Sequence, residues 1–192
     1  MNVVVFRNLH GLTASPYELN SKKNRERILE ANEVHDFSHY FICEYHRIII
    51  QEDSIKWNPH LISFIFMKQV SATEWEKYPF AIQNNFNGTS VKMEIECKNI
   101  ILTSLTNGNQ EIFCNIYAFI EFLNSYFDLT EYFKETLEYK LNVKYIGQTE
   151  ITKDYFRFGN HEKISEISNY IVEYKPEMQV LVLFYNFKKQ QS

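Results

Sequence analysis

The residues best suited to do chemistry lie between positions 145 and 163 of the chain. Arg157 and His161 are four positions apart, so a helix through them would place both side chains on one face. Tyr145 lies just upstream, near the end of a predicted short strand. Arginine binds phosphate through parallel N–H donors, and tyrosine or histidine can position or deprotonate a water. We therefore predict a phosphodiester site with Tyr145, Arg157 and His161 as its catalytic residues.

Three further residues of the same stretch complete the predicted site. Gly147 has no side chain, which lets a ligand or another backbone come close to the strand end. Gln148 follows it directly, and Lys163 adds a positive charge beyond His161. We assign substrate binding to Gly147, Gln148 and Lys163, and expect Lys163 to assist electrostatically.

A predicted strand, helix and strand would position these residues. Residues 143–147 form a short apolar strand that ends at the glycine. Residues 161–174 place three isoleucines at helical spacing, as in a helix with one buried face. Residues 178–187 form a long apolar run, typical of a strand buried on both faces. The last part of the chain therefore predicts a strand–helix–strand unit.

The same residues resemble one half of the GIY-YIG nuclease module. Tyr145-Ile146-Gly147 matches the YIG strand, Arg157 the arginine of the following helix, and His161 the histidine one turn later. The resemblance covers about residues 136–187. It implies a small α/β module that hydrolyses phosphodiesters with a divalent metal, Mg²⁺ or Mn²⁺, and that has DNA as its commonest substrate.

The resemblance also implies a first strand with its own tyrosine, about ten residues before Tyr145. The sequence there, residues 135–142, contains no GIY, and the spacing of residues 128–141 predicts a helix. Tyr139, six positions before Tyr145, could take that place only if the hairpin were very short. The family places a metal-binding glutamate on a helix after its third strand. Lys188 and Lys189 follow the third candidate strand here, so the metal ligands are left open.

The preceding part of the chain has a different pattern. Residues 39–50, 61–68 and 91–98 are rich in aromatic and β-branched residues or alternate with period two, as strands do. Asn107-Gly108 suits a tight hairpin turn, and residues 116–127 have helical spacing. We predict an α+β protein. Residues 1–135 would form a mainly antiparallel N-terminal domain with helices, and residues 136–192 a GIY-YIG-like module, complete or truncated.

Composition limits the class of protein. The net charge of −4 argues against a generally basic surface for nucleic acid, although it allows a local patch. Hydrophobic residues make up 45% of the chain, enough to bury a sizeable core. The three cysteines contain no CxxC pair, which favours reduced, buried thiols and an intracellular protein. Apolar runs are too short to cross a membrane, so we expect a soluble, cytoplasmic protein. Few glycines and many Ile, Asn, Lys and Phe residues suggest an AT-rich genome, which fits a bacterium or phage.

Two functions follow from these patterns. The first is a GIY-YIG-like protein that engages DNA, either as a metal-dependent endonuclease or as an inactive relative that binds without cutting. The second is a protein–protein interaction module without catalytic activity, in which the acidic, aromatic-rich N-terminal part binds a protein partner. The oligomeric state is left open.

Overall fold

The computed structural model describes residues 11–16, 19, 22–113, 115–148 and 162–186. The chain forms two compact units. Unit 1 combines Met1–Tyr45 with Leu141–Ser192, and unit 2 is His46–Lys140. The predicted division into residues 1–135 and 136–192 differs from this one, because unit 1 takes in both ends of the chain.

The described residues form short strands and four helices, numbered here in chain order. The helices are α1 (Lys22–His35), α2 (Ile116–Phe127), α3 (Thr130–Glu135) and α4 (Glu162–Tyr174), and Glu52–Ser54 is a 3₁₀ turn. The strands are β1 (Gly11–Ala14), β2 (His39–His46), β3 (Ile48–Ile50), β4 (Lys56–Trp57), β5 (Leu61–Gln69), β6 (Trp75–Gln83), β7 (Val91–Glu96), β8 (Asn99–Ser104), β9 (Gln110–Phe113), β10 (Asn142–Gln148) and β11 (Met178–Tyr185).

Unit 1 is built on a four-stranded sheet with the order β1-β11-β2-β10. The pairs β1–β11 and β10–β2 are antiparallel. Helices α1 and α4 contribute Ile28, Ile164 and Ile171 to one core with Tyr40 and Ile42 of β2. Because side chains alternate along a strand, Tyr40, Ile42 and Glu44 share this helix-covered face. The two central strands are buried on both faces, as their apolar sequences require.

Unit 2 holds two further sheets and an aromatic core. Strand β5 pairs with β3, β4 and β6, and β8 pairs with β7 and β9. Phe66 of β5 is fully buried and its ring contacts those of Phe80 and Phe133 at centroid distances of 5.3 and 5.7 Å. Phe119 of α2 packs on Phe64 at 6.0 Å. Large apolar rings thus join the β5–β6 hairpin to the helices that follow the sheets.

The predicted fold class is confirmed at the level of an α+β protein with antiparallel sheets. Strand, helix and strand do follow one another as β10, α4 and β11, but β2 lies between β10 and β11 in the sheet. The predicted C-terminal unit is therefore completed by a strand from the N-terminal part. No helix among the described residues is long and apolar enough to cross a membrane.

Two local predictions are wrong for identifiable reasons. Residues 91–98 were expected to be one alternating strand with Cys97 buried, but β7 ends at Glu96 and Cys97 is exposed. Cys97 and Lys98 have φ angles of 49° and 70°, which a two-residue hairpin turn of matching twist requires. The helix expected over residues 128–141 is limited to Thr130–Glu135, and Glu138 has a φ of 49° that breaks the helical path.

An ion pair between a buried lysine and an exposed glutamate in unit 2 gives a first testable prediction. The Lys68 ammonium lies 2.7 Å from Glu138 Oε2, and the lysine side chain is 5% exposed whereas the glutamate is 62% exposed. We expect Glu138→Gln to lower the free energy of unfolding of unit 2 by about 1–2 kcal/mol, because a buried ammonium loses its counterion. Guanidinium unfolding followed by the fluorescence of Trp57 and Trp75, both in unit 2, measures this effect.

The control for this prediction is Glu135→Gln, an exposed glutamate just upstream on α3, which should change stability by less than about 0.5 kcal/mol. Combining Glu138→Gln with Lys68→Met should recover most of the loss, because an apolar side chain of similar length replaces the buried charge. A Glu138→Gln variant as stable as the parent would show that solvent already screens the pair.

Candidate functional site

The candidate site is arranged along β10, whose partner is β2. Tyr145 lies opposite Ile42 and Gly147 opposite Tyr40, while Asn142 lies opposite Glu44. The register shifts between Val143 and Tyr145, so Lys144 is the extra residue of a bulge. A bulge lets two consecutive side chains reach one face. Lys144 contacts Glu44 and Tyr145 contacts Tyr40, both on the helix-covered face.

A pair of tyrosines forms one end of the site. The rings of Tyr40 and Tyr145 have centroids 5.9 Å apart and are tilted by 38°. Burial raises the pKa of the Tyr40 hydroxyl well above its usual range, and a hydrogen bond with Tyr145 and the charge of that residue raise it further. Tyr40 thus binds its proton more tightly than an exposed tyrosine does, and its hydroxyl is a hydrogen-bond partner of Tyr145.

Gly147 makes this pairing of rings sterically feasible. A Cβ atom added at Gly147 would collide with the ring of Tyr40, which occupies the space beside the glycine backbone. Gly147 is buried for the same reason. The glycine at the end of the YIG segment thus lets the Tyr40 side chain cross over β10.

A carboxylate held by two lysines forms the other end. The Lys144 ammonium lies 2.7 Å from Glu44 Oε1, and the Lys175 ammonium donates to both oxygens at 3.1 Å. The Glu44 side chain is 5% exposed, while Lys144 and Lys175 are 38% and 31% exposed. Burial alone would raise the pKa of Glu44, but the hydrogen bonds and charges of the two lysines outweigh it and hold the pKa below its usual range.

Helix α4 lies on the same face and contributes charged and aromatic residues. Lys163 lies in its first turn and is exposed, and its ammonium is 2.6 Å from Glu166 Oε2. The hydrogen bond to Glu166 and the charge of that carboxylate raise the pKa of Lys163, and the charge of Tyr145 makes a smaller contribution. At the other end, the Lys175 ammonium lies 5.9 Å from the ring centroid of Tyr170. The Tyr170 and Tyr174 rings are exposed and 5.2 Å apart.

The arrangement places ammonium donors beside a pair of tyrosine hydroxyl groups, and the carboxylate that joins Lys144 and Lys175 is buried. Tyrosine hydroxyl groups and ammonium groups both donate to anionic oxygens. Glu44 is the carboxylate nearest the lysines, and it is covered. The site is thus chemically suited to a negatively charged oxygen ligand such as a phosphate group.

The described residues do not fit the divalent metal that the sequence resemblance implies. No group of three or more His, Cys, Asp or Glu side chains among them is placed to hold a metal ion. Glu44 lies on the same face as Tyr145, and both of its oxygens bind lysine ammonium groups. A cation at Glu44 would have to displace or oppose two positive charges.

The predicted site residues are placed as follows. Tyr145 is partly buried in the core beside Tyr40, Gly147 is buried, and Gln148 is exposed opposite His39. Lys163 is the second residue of α4, exposed and paired with Glu166. Arg157 and His161 lie outside the described residues, and their catalytic roles stay predictions.

Four residues of the site were not predicted from the sequence. Tyr40 and Glu44 come from β2, about one hundred positions before β10, and Lys175 follows α4. Lys144 adjoins the YIG segment, but only the bulge turns it toward Glu44. Tyr139, which could serve as the first-strand tyrosine only through a very short hairpin, lies in unit 2, where its ring packs against Tyr117 at 6.0 Å.

We compared the chain with protein-family models, with curated proteins and with solved structures, and nothing matched in any of the three comparisons.

Proposed function

We propose that this chain is a GIY-YIG-like protein that binds the phosphodiester backbone of DNA at the β10 site, as an endonuclease or as a relative that binds without cutting. Tyr145 would contact the phosphodiester from the strand, and Arg157 would hold its negative charge. His161 would position or activate water in a cutting enzyme. Gly147, Gln148 and Lys163 are the proposed substrate-binding residues.

The observation that supports this proposal best is the second tyrosine beside Tyr145. The family resemblance implies a strand with its own tyrosine next to the YIG strand, and the sequence just before Tyr145 has no such strand. Strand β2 pairs with β10 and brings Tyr40 against Tyr145. We propose β2 as the counterpart of that first strand, separated from β10 in sequence by the whole of unit 2.

Mg²⁺ or Mn²⁺ is the cofactor that the resemblance implies for a cutting enzyme. The described residues offer no ligand set for it. The cleavage assay therefore compares Mg²⁺, Mn²⁺ and EDTA.

Binding and cleavage of DNA test the proposal directly. The wild-type protein is titrated with single- and double-stranded oligonucleotides, and supercoiled plasmid is incubated with Mg²⁺, with Mn²⁺ and with EDTA. We expect oligonucleotide binding that Arg157→Ala weakens about tenfold or more, because a charge-assisted hydrogen bond to phosphate is lost. Tyr145→Phe keeps the ring contact with Tyr40 but removes the hydroxyl, and should reduce cleavage more than binding.

The matched control is Tyr126→Phe, which removes the hydroxyl of a partly exposed tyrosine in unit 2 and should change neither binding nor cleavage. Plasmid cleavage would identify an endonuclease, and binding alone would identify a relative that does not cut. A wild-type protein that neither binds nor cuts DNA would overturn the proposal.

A protein-interaction module is the second candidate, and unit 2 supplies an observation in its favour. His46–Lys140 contains more acidic than basic residues, and the β4–β5 hairpin exposes Trp57 and Leu61 by 39% and 43%. Tryptophan is enriched where proteins bind one another. A protein partner retained by both Arg157→Ala and Tyr145→Phe, but lost on Trp57→Ala, would favour this function.

A further inference from the structure

The lysine pair at the second end of the site has no role in the function proposed so far. Lys144 comes from the bulge of β10 and Lys175 from the end of α4, and both bind one carboxylate of β2. Three separate elements thus converge on a single cluster. Two lysines on one glutamate leave these three side chains with a net positive charge.

The lysines of the cluster are more exposed to solvent than the glutamate. Glu44 is 5% exposed, and the two lysine side chains are exposed by about a third. Each ammonium has three N–H donors, and the carboxylate accepts one from Lys144 and two from Lys175. Donors therefore remain on both lysines, and a ligand arriving from solvent meets ammonium groups before it meets the carboxylate.

Glu44 also fixes the separation of the two ammonium groups. Both bind Glu44 Oε1, at 2.7 and 3.1 Å, so the two nitrogens can be no farther apart than these distances combined. Without the carboxylate, two like charges so close would repel each other and move apart. Glu44 is thus a positioning residue that holds two cations at a spacing where one anionic group can bridge them.

The cluster lies next to the tyrosine pair on the same strand. Lys144 and Tyr145 are consecutive residues, and Glu44 is two positions from Ile42, which lies opposite Tyr145. Residues two apart on a strand are about 7 Å apart on one face. A polynucleotide strand that placed one phosphate at Tyr145 could therefore place a neighbouring phosphate at the lysines.

On the premise of the proposed function, we infer that Lys144 and Lys175 form a second phosphate-binding subsite beside Tyr145, which binds a backbone phosphate through two ammonium groups and not through a divalent cation on Glu44. Glu44 acts on the ligand only through the lysines. The subsite binds the backbone and does not read the base sequence.

The salt dependence of binding tests the subsite. Replacing a lysine that contacts a phosphate reduces the slope of log affinity against log salt concentration by about 0.7–0.9. We expect Lys144→Gln and Lys175→Gln each to reduce the slope by about this amount and to weaken binding to oligonucleotides of any sequence. Binding by the wild type should persist in EDTA, because the subsite needs no divalent cation. Lys144→Arg and Lys175→Arg should retain the affinity and slope of the wild type.

Lys92→Gln is the matched control. Lys92 is a 39% exposed lysine paired with Glu94 in unit 2, so its replacement changes the net charge equally. It should leave the slope unchanged. Unchanged slopes for Lys144→Gln and Lys175→Gln would assign the cluster a structural role only and overturn the inference. Binding that requires Mg²⁺ and is abolished by EDTA would also overturn it.

Chemical modification of the wild-type protein gives an answer even if the variants fail to fold. Acetylation of Lys144, Lys175 and Lys92 is followed by mass spectrometry with an oligonucleotide, with pyrophosphate, or with neither. Protection of Lys144 and Lys175, but not Lys92, by the oligonucleotide supports the subsite. Protection by pyrophosphate alone would mean an anion site without DNA, so the proposed function and the backbone-phosphate subsite would both fail. DNA binding without protection of either lysine would overturn only the subsite.

Discussion

Gly147→Ala is expected to lower the free energy of unfolding of unit 1 by about 1–3 kcal/mol, which is the usual cost of forcing a methyl group into a packed region. The new Cβ would collide with the Tyr40 ring, which is buried in the core of the sheet and helices. Either the ring must leave its place or the edge strand β10 must move away from β2. Gly147→Val, with two further methyl groups, should be more damaging.

Hydrogen–deuterium exchange followed by mass spectrometry measures this effect where it occurs. Both tryptophans lie in unit 2, so their fluorescence does not report on unit 1. Peptides from β2 and β10 should exchange faster in Gly147→Ala, while peptides from β5 and β6 should be unchanged. Ile146→Ala alters a neighbouring side chain that is 58% exposed, and serves as the control with little effect.

A second variant separates steric conflict from other effects of the alanine. Tyr40→Ala removes the ring that the new methyl group would strike, at its own cost in stability. In the Tyr40→Ala background, Gly147→Ala should then lower the free energy of unfolding much less than it does in the parent. The difference between the two effects, which is the coupling energy, should be about 1 kcal/mol or more. Equal costs in both backgrounds would show that the glycine is required for a reason other than the Tyr40 ring.

Glu44→Gln is expected to destabilise unit 1 by about 3 kcal/mol at pH 7, because a buried carboxylate is lost from two lysines that remain close together. Glutamine retains an acceptor oxygen but not the charge that offsets the repulsion between the ammonium groups. Exchange of β2 and β10 peptides again provides the measurement. Glu166→Gln, which removes the exposed partner of Lys163, is the control and should change stability little.

The pH dependence of this difference has a definite sign. The pKa of Glu44 is lower in the folded protein than in the unfolded chain, so its ionised form stabilises the fold. That contribution is complete above the unfolded pKa of about 4.3, and it is lost as the pH falls through the lower folded value. The gap between parent and Glu44→Gln should therefore be constant from pH 6 to 7 and narrow below about pH 4. If the difference in stability stayed the same from pH 7 down to below about pH 4, the charge of the Glu44 carboxylate could not be its source.

Local patterns predicted much of the secondary structure and little of its assembly. Helix α2 has the bounds expected from the apolar spacing of residues 116–127, and β11 begins where the apolar run at 178 begins. Strand β6 was missed, because charged residues and Pro79 interrupt its pattern. Pro79 is tolerated because, among the described strands, β6 pairs with β5 alone.

The sequence indicated those residues of the candidate site that are neighbours along the chain. It did not indicate the residues that only strand pairing brings to the site. Tyr145 and Gly147 could be found because the YIG segment is contiguous. Tyr40 and Glu44 could not, because no periodicity links residues of β2 to a strand about one hundred positions later. Charge partners across a sheet are set by register, and the bulge at Lys144 that decides this register leaves no mark in the sequence.

The pairing of β2 with β10 also constrains how the chain can fold. Glu44 and Asn142 are partners, so the chain departs toward His46–Lys140 and returns at nearly the same point. Joining β2 to β10 directly would require closing one very long loop of disordered chain, and the entropy lost on closure grows with loop length. If unit 2 becomes ordered first, its two ends are already held near each other and most of that entropy has been lost before the strands meet. Formation of the tyrosine pair and the lysine cluster would then be a late event, governed by the folding rate of the inserted unit.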